Sequence, residues 1–537
     1  MKKIAAGLLF FVILLSLWSC REKTVNPNVN LTLEDFDSLS DKSLAMNSHR
    51  VRAYIRKLIS EDSDSLNLDN RIKSYYDRGG DFLWINRHGI GYSGDTLVAC
   101  LDSVDRMGMS RKKFRVEQIK ADLHRMHALE FDDADNTINK VLARLEYNLT
   151  KGYLRYVSGQ RFGFINPTWA LNRIDTLTQN AYDEERWTDV HYRQLYDIKM
   201  EHSGKQFYRF AIHKVAVDSI DAFLHEVETD NPLYWQMKHR YNEGNLSVAE
   251  KRKLLINMER CRWRVADYPW KHKKYVLVNI PSMHLLAVDD DESLSMRVGL
   301  GTTKTKTPLL ISHIKRMDIN PKWILPRSIM IKSVLPRVGN RTFFERNHYF
   351  VKDKSKNERV PFEKVTRAML LSGDYVVMQE GGKGNSLGRI IFRFDNNFSV
   401  FLHSTSNPNR TFSRSDREVS HGCVRVERPF DLAVFLLEKK DRSLIDKIGY
   451  SMSADISPAE ERLGNNSDKD ETEGDEDDEI KDTLQRDKLI YTIKLQPTVP
   501  LFILYFTVFP DKEGRLIEYD DIYGYDDVIW KQLLNFR

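Results

Sequence analysis

The sequence predicts an α+β multidomain protein, with an α-helical scaffold domain followed by a β-rich domain that carries a lid insertion. Three observations predict it. The chain has 537 residues, more than one hydrophobic core supports. Apolar residues recur at helical spacing through roughly residues 44–268. From Tyr275 onward they gather instead into short β-type runs bounded by turn residues. With 41% hydrophobic and 11% aromatic residues, the chain can bury enough apolar surface to offset the entropy of ordering, so disorder throughout is excluded.

At the start, Lys2 and Lys3 precede an apolar run over residues 4–18, interrupted only by Gly7 and Ser16, and then Ser19 and Cys20. This reads as a signal peptide over residues 1–20. The run is short of the ~20 residues of a spanning helix, and an uncleaved membrane anchor is the alternative. Leu17-Trp18-Ser19-Cys20 resembles a lipoprotein box, which implies lipidation of Cys20 and membrane attachment through it. The chain beyond Cys20 is then expected outside the cytoplasm, in the periplasm, and nucleic acid is excluded as a partner.

Residues 21–43 are polar and aperiodic, as expected of a tether. The scaffold follows over residues 44–270. Ile138, Val141, Leu142, Leu145 and Leu149 fall on one helix face, as do Leu254, Met258, Cys261 and Val265, and residues 84–114 place Leu97, Leu101 and Val104 together. The β-rich domain spans residues 271–455, with strands near 274–280, 282–288, 295–300, 389–394 and 399–403, the last two joined by a tight Asp395-Asn396-Asn397 turn. Weak, glycine-containing signals over about 333–386 suit a lid. Residues 456–487 read as an acidic disordered loop: 468–482 alone hold ten acidic and two basic residues, leaving +13 on the remainder of a chain whose formal charge is +5. That excess favours an anionic partner. Residues 488–537 supply strands that return to the β core.

Chemistry concentrates in residues 403–425, HSTSNPNRTFSRSDREVSHGCVR. A cysteine nucleophile needs a base or cation that favours its thiolate, and His403, at a strand end, can supply it to Cys423. Gly422 lets backbone approach a substrate and leaves the Gly422 and Cys423 amides facing a developing oxyanion. Two plainer readings compete: a buried cysteine beside a structural histidine, and a zinc site of His403, His421 and Cys423, for which no clear fourth ligand lies nearby. Cys100 and Cys261 are expected to be reduced, packed thiols.

The segment resembles the L,D-transpeptidase (YkuD-type) family, whose signature is a histidine, about fifteen residues, then Ser/Thr-His-Gly-Cys, a small apolar residue and Arg or Asn. The likeness extends through VLVNIPSMHLLAV, VGLGTTKTKTP, INPKWILP, LGRIIFRFDNNFSVFLH and YFTVFPDKEGRLIEYDDIYGYD to the YcbB-like murein subfamily, whose helical scaffold NLTKGYLRYVSGQ and LINMERCRW also resemble. It implies Cys423 as nucleophile, His403 as general base and acid, the Ser404 carbonyl as orienter of the imidazole, and Gly422 in the catalytic turn. It further assigns Trp323, Asn320, Ser420, His421, Arg425 and Phe401 to substrate binding. Three departures stand out: Phe401 and Ser404 replace the subfamily's usual Tyr and Asp, Cys261 replaces a tryptophan, and with about twenty residues between Pro232 and LINMERCRW no small peptidoglycan-binding domain fits.

The implied activity is 3-3 cross-linking of peptidoglycan stem peptides through a cysteine thioester with release of D-alanine, with no metal or organic cofactor, and carbapenem-type inhibitors are expected. The alternatives are an L,D-carboxypeptidase that trims stem tetrapeptides and a non-catalytic wall-anchoring lipoprotein.

Overall fold

The computed structural model describes residues 46–86, 89–132, 134–179, 188–457 and 484–537. The signal peptide, Cys20, the tether and residues 458–483 of the acidic stretch lie outside the described residues. Two compact units result. One comprises the described residues through Ile165, then His202–Arg264 and Trp530–Arg537; the other comprises Asn166–Glu201 and Val265–Ile529.

The first unit is helical and built around Ile138–Phe162, whose predicted apolar positions are all fully buried. Helices Ser48–Glu61, Tyr92–Leu101 and Val116–Ala128 pack on it. Because the central helix is covered nearly all round, its polar residues must be partnered. Glu146 accepts from the amides of Leu83, Trp84 and Ile85 and from the Tyr76 hydroxyl. Lys151 and Arg155 pair with Asp62, Asp64 and Asp69.

Helix Val248–Arg262 opens with a reciprocal Ser247/Glu250 capping box and buries Leu254, Met258 and Cys261. It ends before Val265, which the periodicity had placed on it. Residues 84–114 likewise form no single helix: a two-strand pairing, helix Tyr92–Leu101 and a 3-10 turn share the work, yet Leu97, Leu101 and Val104 are all buried. Cys100, Cys261 and Cys423 are free thiols.

The second unit is a closed sheet with an insertion. Its strands are β1 (Tyr196–Asp197), β2 (Lys274–Asn279), β3 (His284–Asp289), β4 (Glu292–Gly301) and β5 (Leu309–Ile319), then β6 (Trp323–Ile324), β7 (Tyr349–Asp353), β8 (Arg359–Val360) and β9 (Tyr375–Gln379) of the insertion, and finally β10 (Ile390–Phe394), β11 (Leu402–His403), β12 (Glu418–Ser420), β13 (Val424–Val426) and β14 (Thr492–Leu504). Neighbours run β10-β11-β13-β4-β3-β2-β14-β5, and β5 pairs back onto β10 to close the ring. Buried Val276, Val278, Leu285, Val298, Leu300, Phe392, Leu402, Val424 and Leu501 belong to its core.

The contiguous division at residue 270 differs from this arrangement. Residues 166–201 belong with the sheet because β1 pairs in parallel with β5. At the other end Phe536 packs on Phe164, ring centroids 4.9 Å apart, and accepts from the Ser110 amide. The two C-terminal strand runs merge into one strand, β14, with a register shift between Lys494 and Val499. The insertion starts at Trp323 rather than 333 and has its own sheet, β8-β7-β9-β6, over an apolar cluster of Leu325, Val334, Phe344, Val351, Leu370 and Val377. Among the described residues, no helix is long and apolar enough to cross a membrane.

Candidate active site

Two adjacent strands bring His403 and Cys423 together. β11 and β13 are parallel, with Leu402 opposite Val424 and His403 opposite Arg425, and the Val424 amide donates to the Phe401 carbonyl at 2.9 Å. Side chains alternate across a strand, so Leu402 and Val424 go to the core while 401, 403, 423 and 425 share the other face. Cys423 thus sits diagonally from His403, a step of about 7–8 Å between backbones that a long side chain spans. The two side chains are not hydrogen-bonded to each other; the Cys423 sulfur lies 4.0 Å from the Ser399 carbonyl.

The imidazole is buried and fixed at one nitrogen. Its Nδ1 is 2.5 Å from the Ser404 carbonyl and 3.3 Å from that of Leu387. Carbonyls only accept, so Nδ1 carries the proton and Nε2 keeps its lone pair. Burial, aided by the positive charge of Arg425, pushes His403 down to about 4. Burial also pushes the Cys423 thiol up, with the Phe401 amide and Arg425 offsetting only part of that. The resting pair is therefore thiol and neutral imidazole. Both shifts work against the standing thiolate expected from the sequence.

The turn before Cys423 is held from within. Ser420 Oγ donates to the Cys423 carbonyl at 2.6 Å and accepts from the Gly422 amide at 3.1 Å. Gly422 has φ +114°, where a side chain would strain the backbone. Two expectations change here. The Gly422 amide is already engaged, so the Cys423 amide, which makes no hydrogen bond among the described residues, is the one left to face an oxyanion. Ser420, expected to bind substrate, is buried and builds the turn.

Other nominated residues separate similarly. Asn320 is buried with both ends of its amide used, donating to the Ser451 carbonyl at 2.6 Å and accepting from Arg389 at 2.9 Å, so its side chain is structural. Trp323 lies on β6 and packs against the insertion's apolar cluster, which makes it part of that core. Phe401 lies under the Arg393 guanidinium, 5.3 Å from its ring centroid, and contributes its amide to the sulfur. His421 is exposed at the tip of the turn; partial burial, then Lys332 of the insertion and Arg425, hold its imidazole below the ordinary value. Arg425 charges the site, and its buried Nε has no hydrogen-bond partner among the described residues. Among the described residues, no group of three His, Cys, Asp or Glu side chains is arranged to hold a metal.

Sequence reasoning missed the loop that backs the turn. The Thr302 amide and Thr305 hydroxyl both donate to the Ser420 carbonyl, while Tyr523 donates to the Gly301 carbonyl and accepts from the Thr307 amide. VGLGTTKTKTP and DIYGYD were the signals, but their pairing is visible only in the fold.

The profile of the YkuD L,D-transpeptidase catalytic domain matches residues 273–445, and that of the Scaffold domain matches residues 70–240. The chain therefore carries a YkuD L,D-transpeptidase catalytic domain together with a Scaffold domain. Catalytic domain plus scaffold is the YcbB-like architecture. A Haemophilus influenzae protein named "Putative L,D-transpeptidase" is 27% identical over 314 residues, 57% of this chain and 55% of that protein. The chain thus spans about half the length of the curated relative it matches.

Proposed function

We propose that this L,D-transpeptidase family member forms 3-3 cross-links between peptidoglycan stem peptides through a thioester on Cys423. The observation that carries the proposal is the fixed imidazole: with Nδ1–H held by the Ser404 carbonyl, the Nε2 lone pair is available on the face that Cys423 shares. Sulfur attacks the carbonyl of the third stem residue, the L-centre of a diamino acid, as His403 takes the thiol proton. The Cys423 amide stabilises the oxyanion. His403 returns the proton to the amine of the departing D-alanine, the C–N bond breaks, and a thioester remains. The side-chain amine of a second stem then attacks, loses a proton to His403, and leaves an amide cross-link and the free thiol. The basic excess of the chain suits a carboxylate-rich wall polymer, and the signal-peptide-like start with Cys20 supports a periplasmic, membrane-attached lipoprotein as part of the same proposal.

Purified protein incubated with a stem tetrapeptide, with and without an acceptor stem, tests this by mass spectrometry. Thioester on the Cys423 peptide, free D-alanine and dimer are expected. D-alanine with only hydrolysed tripeptide in the presence of acceptor would replace the reading with carboxypeptidase activity. Sacculus binding without any D-alanine release, identical in Cys423→Ala, would replace it with a wall anchor.

A further inference from the structure

We infer that the side chain of Ser404 is a positioning residue for His403, acting by holding the Leu387 carbonyl beside Nδ1. This goes beyond the backbone carbonyl of Ser404 and rests on the reading of His403 as the base. Ser404 is buried, and its hydroxyl accepts from the amides of Arg389 at 2.6 Å and Ile390 at 3.1 Å while it donates to the Leu387 carbonyl at 3.3 Å. One donor and two acceptors are all a hydroxyl has, so it is fully used. The same Leu387 oxygen lies 3.3 Å from Nδ1. The hydroxyl therefore sets the position of the second of the two acceptors that fix the tautomer.

The bend that carries Leu387 is shaped to this hydroxyl. Gly388 has φ +69°, and a Cβ there would lie 2.2 Å from Ser404 Oγ. Asn385 anchors the bend from the other side, accepting from the Leu387 amide at 2.7 Å and donating to the carbonyls of Pro321 and Glu380. An aspartate at 404 could receive the two amides but has no proton for the Leu387 oxygen, so two acceptors would face each other. Its negative charge would also favour the imidazolium. The charge that acts on the ring is Arg425, opposite it on β13, with the titratable Cys423 just before that strand, while Arg389 meets Ser404 only through its amide and turns its guanidinium to Asn320. A serine here keeps the ring neutral and singly oriented.

Long-range nitrogen-proton NMR on histidine-labelled protein reads the tautomer without turnover, and D-alanine release against pH reads its consequence. In the wild type, His403 should be protonated at Nδ1 and bare at Nε2. Ser404→Ala should show mixed tautomers and a kcat about 10- to 100-fold lower with KM little changed. Ser404→Asp should move the acid limb of the pH profile upward by at least about one pH unit. A wild-type ring protonated at Nε2, or an Ala variant with a single Nδ1–H tautomer and full kcat, overturns the inference. Loss of Cys423-dependent D-alanine release by the wild type would instead overturn the function on which it rests.

Discussion

In the resting enzyme Cys423 should be a thiol whose ionisation follows pH, without forming a standing ion pair with His403. His403 is pushed down to about 4 and Cys423 lies above its ordinary 9.0. Moving the proton from sulfur to nitrogen then crosses at least about five pH units, about 7 kcal/mol. Two opposite charges ~4 Å apart at an effective dielectric of 20 recover at most about 4 kcal/mol. The neutral pair therefore wins by about 3 kcal/mol, and thiolate is on the order of 1% or less at neutral pH. Iodoacetamide labelling from about pH 5 to pH 10, resolved by peptide mass mapping, measures this, with Cys100, pushed up to about 11 by burial, as an internal slow control. The Cys423 rate should climb about tenfold per pH unit to beyond pH 9, and His403→Gln should leave the curve almost unchanged. Arg425→Met should shift it further upward, because that charge favours the thiolate. A fast plateau across neutral pH that disappears in His403→Gln would mean a stable thiolate–imidazolium pair and would refute the reasoning.

Ser420→Ala removes both hydrogen bonds that shape the catalytic turn, and a cost of about 1–3 kcal/mol to that turn should appear as a 10- to 100-fold lower kcat for D-alanine release, against an unchanged rate if the hydroxyl were only a substrate ligand. In the scaffold, burial works against ionisation of Asp62 and Asp64, but hydrogen bonds and charge from Lys151, with Arg155 at Asp64, outweigh it and hold both carboxyls below the usual 3.8. Their contribution is present above about pH 4 and lost as pH falls through the lower folded values, so melting temperature should drop on acidification below about pH 4. Lys151→Met should lower stability by about 3–5 kcal/mol in urea titration and flatten that acid dependence; a variant as stable as wild type would mean that the buried cluster contributes nothing. A carbapenem should add its mass to the Cys423 peptide faster than a penicillin does, and an adduct on Cys100 that persists in Cys423→Ala would count against Cys423 as the reactive thiol.

Features that depend on local spacing were legible before folding. Helical periodicity placed the inward faces around Ile138–Leu149 and Leu254–Cys261, alternation and turn residues placed the strands from Tyr275, and the His403 to Cys423 signature singled out the pair proposed to react. These patterns are legible because side-chain direction repeats every 3.6 or 2 residues wherever the chain runs. Only the tertiary structure decided which polar groups were already spent. Asn320 meets Ser451 and Arg389, the Gly422 amide meets Ser420, and Ser404 closes on the bend at Leu387. It also decided that residues 166–201 complete the closed sheet and that burial works against the Cys423 thiolate. Hydrogen-bond partners and desolvation depend on what the closed sheet brings together from distant parts of the chain, and no local spacing records that.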